Sequence, residues 1–191
     1  MEQYRFSTLE YQRPDLEARR AKLAEWKAAA QQAESYEALR ALIFEIDRES
    51  CALFTQYSIA HIRHTLDTRD EFYEAEIHYL QDTLPTLSGA EVALSEAIAS
   101  SPFRPDIEKE FGRQYFVAMD LQKKLFCEEN VPLRQQESRL TNEYQKIMAT
   151  AEIPFDGKTL NLYGVQKYFE HPDRAVRAAA VKAYAGFYEK N

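Results

Sequence analysis

The stretch between Pro14 and Pro85 most constrains how this chain can fold, because it contains no glycine and no proline. Sheets need frequent turns, and turns rely on those two residues, so a stretch of this length favours long helices. Apolar residues recur every three or four positions after Ser35, which predicts a second helix continuing to Asp67. That helix would be about 50 Å long. Because such a helix needs partners along its length, we expect the first three helices to pack as antiparallel neighbours.

The composition extends this prediction to the rest of the chain. Five glycines and seven prolines stand against 29% charged residues, a balance typical of helical proteins. One segment differs, because apolar residues alternate on both sides of Asp156-Gly157, which predicts a β-hairpin. We therefore predict an all-α protein, an antiparallel bundle of long helices with one small β-hairpin near residues 152–162.

The segment Ser101–Pro105 is the clearest predicted loop, because its two prolines disfavour a helix. It divides the sequence into a helical half at residues 1–100 and a second helical half, with the hairpin, at residues 101–191. We expect the two halves to form one lobe.

Local patterns predict where individual helices begin. Pro14 suits the first turn of a helix, where its missing N–H costs nothing. The segments 68–71 and 88–91 each match a capping box, in which a hydroxyl and a glutamate satisfy free N–H groups. Later helices are predicted to begin near Asp106, Pro132 and Arg174. The apolar stripes of the last two are Leu133, Leu140, Tyr144 and Ile147, and then Ala178, Val181, Tyr184, Ala185 and Tyr188.

Charge and cysteine usage exclude several classes of partner. The net charge of −7 disfavours a nucleic-acid surface, because phosphate binding depends on clustered Lys and Arg. No stretch approaches the roughly 18 consecutive apolar residues of a membrane span. Cys51 and Cys127 lie in helical patterns, and we interpret them as buried thiols of a reducing compartment. We expect a cytoplasmic protein with neither nucleic acid nor membrane as a partner.

A paired-histidine spacing is the strongest metal-binding pattern in the sequence. His61 and His64 lie three positions apart, on one helix face, where two imidazoles could share a metal ion. Further ligands would have to come from Asp67, Glu74 or His78. We favour the structural alternative, in which Arg63 and His64 pair with acids such as Asp67, Asp70 or Glu74 to clamp the turn between helices two and three.

Other signatures of catalysis are missing from the sequence. His-Glu-x-x-His and Glu-x-x-His do not occur, nor do Gly-x-Ser-x-Gly and the glycine-rich loops that hold phosphates. Glu74 and Glu76 are interpreted as part of a solvated helix face. The 12 tyrosines and 11 phenylalanines suit helix packing and also suit walls that hold peptides. We assign no catalytic, cofactor-binding or metal-binding residue to this chain.

Several longer strings resemble one known family in the same order along the chain. They are Tyr11–Asp15, Ser58–Tyr73, Ser101–Arg104, Ile153–Gly157 and Asp173–Ala179. Together they are similar to the N-terminal region of the oligoendopeptidase F family, within the thimet-oligopeptidase-like zinc metallopeptidases. The resemblance extends from about Tyr11 to Lys190.

The resemblance implies a longer protein in which a catalytic region follows this one and carries zinc on His-Glu-x-x-His and a later glutamate. This chain would then be the non-catalytic wall of a substrate channel, with the catalytic lobe and short peptides as its partners. The regular helix pattern that runs into Asn191 leads us to expect further residues after it. A free-standing helical module that binds peptides or proteins is the alternative, and an unrelated structural bundle is the third.

Overall fold

The computed structural model describes residues 5–191 and confirms the predicted all-α class. The helices are α1 (Leu16–Gln31), α2 (Tyr36–Leu66), α3 (Glu71–Thr83), α4 (Ser88–Ala99), α5 (Arg104–Phe111), α6 (Arg113–Leu125), α7 (Val131–Ala149), α8 (Leu162–Gln166) and α9 (Arg174–Tyr188). The strands are β1 (Ile153–Phe155) and β2 (Lys158–Leu160). Contacts divide the chain into two compact units, unit 1 (Met1–Gln136) and unit 2 (Glu137–Asn191), with the boundary inside α7.

The longest helix, α2, has the limits that the sequence predicts. Ser35 caps its N-terminus, since the serine Oγ accepts the N–H of Ala38 at 3.1 Å. Asp67 follows its last residue after 31 uninterrupted helical residues. The helix packs against α1 and α3, as expected for neighbours in a bundle. The most extensive contact of α1 is with α4, however, and the sequence pattern did not predict that pair.

The predicted helix starts are partly wrong, because nearer carboxylates or a preceding turn replace the expected caps. Asp15 caps α1 through Ala18 N–H at 2.9 Å, so Pro14 precedes the cap instead of lying in the first turn. Asp70 caps α3 by accepting the N–H groups of Phe72 and Tyr73, so Thr68 does not serve as the cap. At the start of α4, Ser88 already has helical dihedral angles, because a 3-10 turn at Leu84–Leu87 leads directly into the helix.

The segment after the predicted loop also differs from the prediction. Pro105 lies in the first turn of α5, where proline is tolerated, so the loop ends at Phe103. The helix predicted from Asp106 is interrupted at Gly112, which has a φ of 83°. Glycine adopts this left-handed conformation without steric cost, and it separates α5 from α6. One predicted helix is therefore two.

Unit 1 has a large apolar core built from faces of α1 to α6. Its side chains include bulky residues from helices that are distant in sequence, which ties the unit together. The largest of those that are almost completely buried are Leu16, Leu23, Trp26, Leu39, Ile77, Leu80, Leu87, Ile107 and Phe116.

Unit 2 contains the predicted hairpin. Ile153 pairs with Leu160 and Phe155 with Lys158, so two residues form the turn. Both of them, Asp156 and Gly157, have positive φ values of 52° and 70°, as a type I′ turn requires. Asn161 then caps the short helix α8, which the sequence pattern did not predict. The small core of the unit consists of Ala151, Ile153, Leu162, Val165 and Ala180.

Two surface features were not anticipated. Cys51 and Cys127 are both free and exposed, so the prediction of buried thiols is wrong. Cys51 lies on an outward face of α2, and Cys127 lies in the connection between α6 and α7. The apolar stripes predicted on α7 and α9 do form, but they lie largely at the surface. Their most exposed members are Leu133, Leu140, Tyr144, Val181 and Tyr188.

Candidate functional site

The paired histidines lie near the C-terminal end of α2. His64 is buried, and the His61 ring stacks on Tyr57 with a centroid distance of 5.9 Å and an interplanar angle of 11°. Over residues 5–191, no three His, Cys, Asp or Glu side chains are grouped so that they could hold a metal ion. His61 therefore belongs to an aromatic stack on the surface of α2.

Arg63 forms a clamp at the turn between α2 and α3, with partners that differ from the predicted ones. Its guanidinium donates to the hydroxyl of Tyr73 and to the backbone carbonyl of Leu9. Asp67 instead accepts the N–H of Arg69, and Asp70 caps α3. The clamp thus joins α2 and α3 to the extended segment before α1. The function of Arg63 here is structural.

A buried carboxylate in unit 1 accepts hydrogen bonds from two side chains of the segment before α1. The side chain of Glu76 is 4% exposed and accepts Arg13 Nε at 2.9 Å and the Tyr11 hydroxyl at 2.7 Å. The bonds from Arg13 lower the pKa of Glu76, whereas burial, followed by the bond to Glu76, raises the pKa of Tyr11. Glu76 is therefore a stable anion that anchors residues 11–13 to α3, and it is not suited to take up protons near neutral pH.

The interpretation of Glu76 as a solvated residue is wrong because its partners are distant in sequence. Arg13 lies 63 positions away, so helical periodicity alone carries no sign of the pair. The proximity of Tyr11 and Arg13 in one string was the single local signal, since both can donate to one carboxylate.

A cleft of about 700 Å³ lies between α1 and α2 in unit 1. Several polar contacts join its walls. Lys22 Nζ lies 3.2 Å from Glu45 Oε1, and the backbone N–H of Gln12 donates to Gln56 Oε1 at 2.8 Å. The indole N–H of Trp26 also donates to Glu45 at 2.9 Å, and this bond, with that from Lys22, lowers the pKa of Glu45. The cleft has a charged rim and an aromatic side chain in its lining.

Arg19 lines the same cleft. Its guanidinium lies 4.7 Å from the centre of the Trp26 ring, and Nη2 donates to Ser50 Oγ at 2.8 Å. Burial lowers the pKa of Arg19, and the charge of Glu91 partly offsets that effect. These contacts hold α1 against α2 and α4. They are polar contacts, and none of them joins a nucleophilic side chain to a general base.

The exposed face of the C-terminal half of α2 carries no charge over several turns. Phe54 is 68% exposed, Ile62 43% and Leu66 77%, and they lie four or eight positions apart on one face. The same face also carries the uncharged residues Cys51, Thr55, Ser58 and Thr65. An exposed, uncharged face of this length in a chain with 29% charged residues is a candidate contact surface.

Unit 2 has a cleft of its own, of about 720 Å³, formed by the end of α7, β1 and α9. Ile147 and Phe187 line it together with small residues of α9. Near it, the hydroxyls of Tyr184 and Tyr188 lie 3.2 Å apart. That bond, burial and the nearby Tyr144 raise the pKa of Tyr188 to about 12.

A family model matches the first two thirds of the chain, and solved structures match almost all of it. The family model described as the peptidase M3 N-terminal domain matches residues 6–126. PZ peptidase A, solved with an inhibitor, is 33% identical with a TM-score of 0.91, covering 97% of this chain and 33% of that one. An oligoendopeptidase F structure is 33% identical with a TM-score of 0.92, covering 98% and 33%. An oligoendopeptidase F from Bacillus anthracis strain Ames is 29% identical with a TM-score of 0.90, covering 97% and 34%.

The chain thus spans about a third of the length of these solved structures. A search among curated proteins found no significant match. Within the described residues, no helix is both long enough and apolar enough to cross a membrane.

Proposed function

The chain belongs to the peptidase M3 N-terminal domain family, and from this premise we propose that it is the non-catalytic substrate-channel lobe of a zinc-dependent oligoendopeptidase. One observation carries the proposal. The chain superposes along nearly its full length on a third of an oligoendopeptidase F at 33% identity. The catalytic lobe of the same protein and short peptides would be its partners.

The residues described here do not fit a zinc site, because no three potential ligands come together between residues 5 and 191. We propose that hydrolysis takes place in a region outside this chain. The contribution of the lobe would be to exclude folded proteins from the channel and to orient an extended peptide. The free, exposed thiols of Cys51 and Cys127 support a reducing compartment, and we place the protein in the cytoplasm.

The uncharged face of α2 supports a role in contacting peptides. Phe54, Ile62 and Leu66 would offer apolar contact to substrate side chains of varied sequence, as a peptidase of broad specificity needs. Because such contacts act on the bound substrate and the transition state alike, their loss should raise KM more than it lowers kcat.

The reading frame after Asn191 gives the first test. A downstream His-Glu-x-x-His supports the enzyme lobe, whereas a stop codon would contradict it and favour a free-standing interaction module. The second test uses the isolated chain with a quenched fluorescent peptide and added zinc. We expect no turnover and no stoichiometric zinc. Chelator-sensitive turnover by the isolated chain would overturn the proposal.

Variants of the complete protein test the channel role. Phe54→Ala and Ile62→Ala should each raise KM for a short peptide by about 3- to 10-fold, with kcat little changed. Leu125→Ala is the matched control, since Leu125 is 71% exposed but lies on α6. If all three variants and the unmodified protein have the same KM, the α2 face does not contact the peptide.

A further inference from the structure

Unit 2 exposes more large apolar side chains than it buries. Its core has five residues, two of them alanines. Six large apolar or aromatic side chains are at least 37% exposed, namely Leu140, Tyr144, Ile147, Tyr163, Val181 and Tyr188. A 55-residue unit with so small a core gains little stability from burial, and contiguous exposed apolar residues mark contact surfaces.

The exposed residues of α7 continue into the cleft of unit 2. Leu140, Tyr144 and Ile147 recur at four and three positions, so they form one row on α7. Ile147 also lines the cleft, so the row on α7 reaches the cleft at this residue. We call this continuous area the α7–α9 surface. It consists of the α7 row and the cleft-lining residues of α9.

Small residues form the α9 side of the cleft. Ala179, Ala183 and Gly186 line it at spacings of four and three. A Cβ atom added at Gly186 would meet no other atom within 4 Å, so the space above this glycine is open. Small residues on one helix face let another backbone approach closely, which suits a packed polypeptide segment.

We infer that the α7–α9 surface is the docking site for the catalytic lobe of the same protein, an inference that rests on the proposed function. The matched relatives supply the argument for this occupant, because two thirds of each chain lies outside the part that this chain matches. A polypeptide of that size has to pack against the lobe somewhere. The α7–α9 surface combines an apolar row, an open cleft and a small-residue floor.

The charges at the rim define the chemistry of the partner further. Lys182 and Lys190 line the cleft, and in the described part of the chain neither forms an ion pair. Glu152 is the acidic residue of the lining. The docked segment therefore carries apolar side chains for the cleft, with Asp or Glu beside them for the two lysines.

The test compares the isolated chain with the protein made from the complete reading frame. Hydrogen exchange should be about tenfold or more slower in the complete protein for residues 140–147 and 179–187. Gly186→Leu places its Cβ in open space in the isolated chain, and leucine has the higher helix propensity, so the unfolding midpoint should stay unchanged or rise. In the complete protein the same substitution should remove most of the added protection, because the leucine occupies the space of the docked segment.

Two control variants show whether the effect of Gly186→Leu comes from the bulk of the side chain at this position. One tests helix propensity, and the other tests the same bulk at another position. Gly186→Ala raises helix propensity with little bulk, so it should keep the protection. Ala28→Leu adds a similar side chain on an exposed position of α1 and should also keep it.

The outcomes distinguish the docking site from the proposed function. If the complete protein binds zinc and cleaves peptides, but residues 140–147 and 179–187 exchange as fast as in the isolated chain, the docking inference is wrong and the function stands. If these residues become protected without zinc binding or turnover, the function is wrong and the docking site stands. If light scattering shows that the isolated chain is a dimer, and the dimer protects the same residues, a second copy of this chain covers the surface and the inference that the catalytic lobe docks there is wrong. A reading frame that ends at Asn191 would overturn both.

Discussion

Unit 1 and unit 2 differ in the number and the size of the side chains that form their cores. Fifteen buried residues form the core of unit 1, with bulky side chains from α1 to α6. Five form the core of unit 2, whose apolar rows on α7 and α9 face outward. Apolar burial is the main source of folding stability, so unit 1 is expected to be the more stable unit, and the proposed docking of the catalytic lobe would add burial to unit 2.

The two units also differ in charge. Unit 2 contains eight Lys and Arg and seven Asp and Glu, whereas unit 1 holds the remaining 16 and 24. Unit 1 uses part of this charge between distant residues, as in the pairs Arg13–Glu76, Arg40–Glu110 and Lys123–Glu96. Unit 1 should therefore be the more acid-sensitive half of the chain.

The largest expected effect comes from the core of unit 1. Leu80 is completely buried, so Leu80→Ala should lower the free energy of unfolding by about 2–5 kcal/mol. Leu125→Ala, at a 71% exposed position of the same unit, should change it by less than about 0.5 kcal/mol. Urea denaturation followed by circular dichroism measures both. Similar losses for the two variants would contradict the assignment of the core.

A smaller effect is expected from the buried carboxylate. Glu76→Gln should destabilise unit 1 by about 1 kcal/mol at pH 7, a modest value because water screens the half-exposed Arg13. The pKa of Glu76 is lowered in the folded state by the bonds from Arg13, so this stabilisation is present above the unfolded pKa, about 4.3, and is lost as the pH falls through the folded pKa.

The measurement for this pair is urea denaturation at several pH values. The difference between Glu76→Gln and the unmodified chain should shrink towards zero as the pH falls below about 4. A difference that stays constant down to pH 2 would mean that the Glu76 charge contributes nothing to the stability of unit 1.

The smallest expected effect is confined to unit 2. Tyr184→Phe removes the hydroxyl that bonds Tyr188, the first cause of its raised pKa of about 12, so the pKa of Tyr188 should fall towards that of an ordinary tyrosine. Ultraviolet titration detects the change, with Tyr163→Phe as a control at a 77% exposed ring. An unchanged titration in Tyr184→Phe would show that the two rings are apart in solution.

The sequence predicted features that depend on local spacing and failed where distant partners decide. The limits of α2, the Asp156-Gly157 turn and the start of α9 follow from caps and periodicity within a few residues. The burial of Glu76 follows from a residue 63 positions away, which periodicity does not encode. The packing of α1 on α4 was not predicted either, because the apolar faces of several helices look alike in sequence.

The sequence also could not predict whether the apolar rows of α7 and α9 are buried. The apolar rows of α7 and α9 were visible in the sequence, but a row of apolar residues predicts a buried face without saying what covers it. Within the described residues, Tyr144 and Val181 remain 55% and 50% exposed. Under the inference above, the catalytic lobe of the same protein would cover these rows.

Native-state hydrogen exchange of the isolated chain tests the contrast between the units most directly. We predict that amides of α3 and α4 exchange through global unfolding, while those of β1 and α9 exchange through openings of clearly lower free energy. Protection of α9 equal to that of α3 and α4 would contradict the account, because unit 2 would then need no partner to be stable.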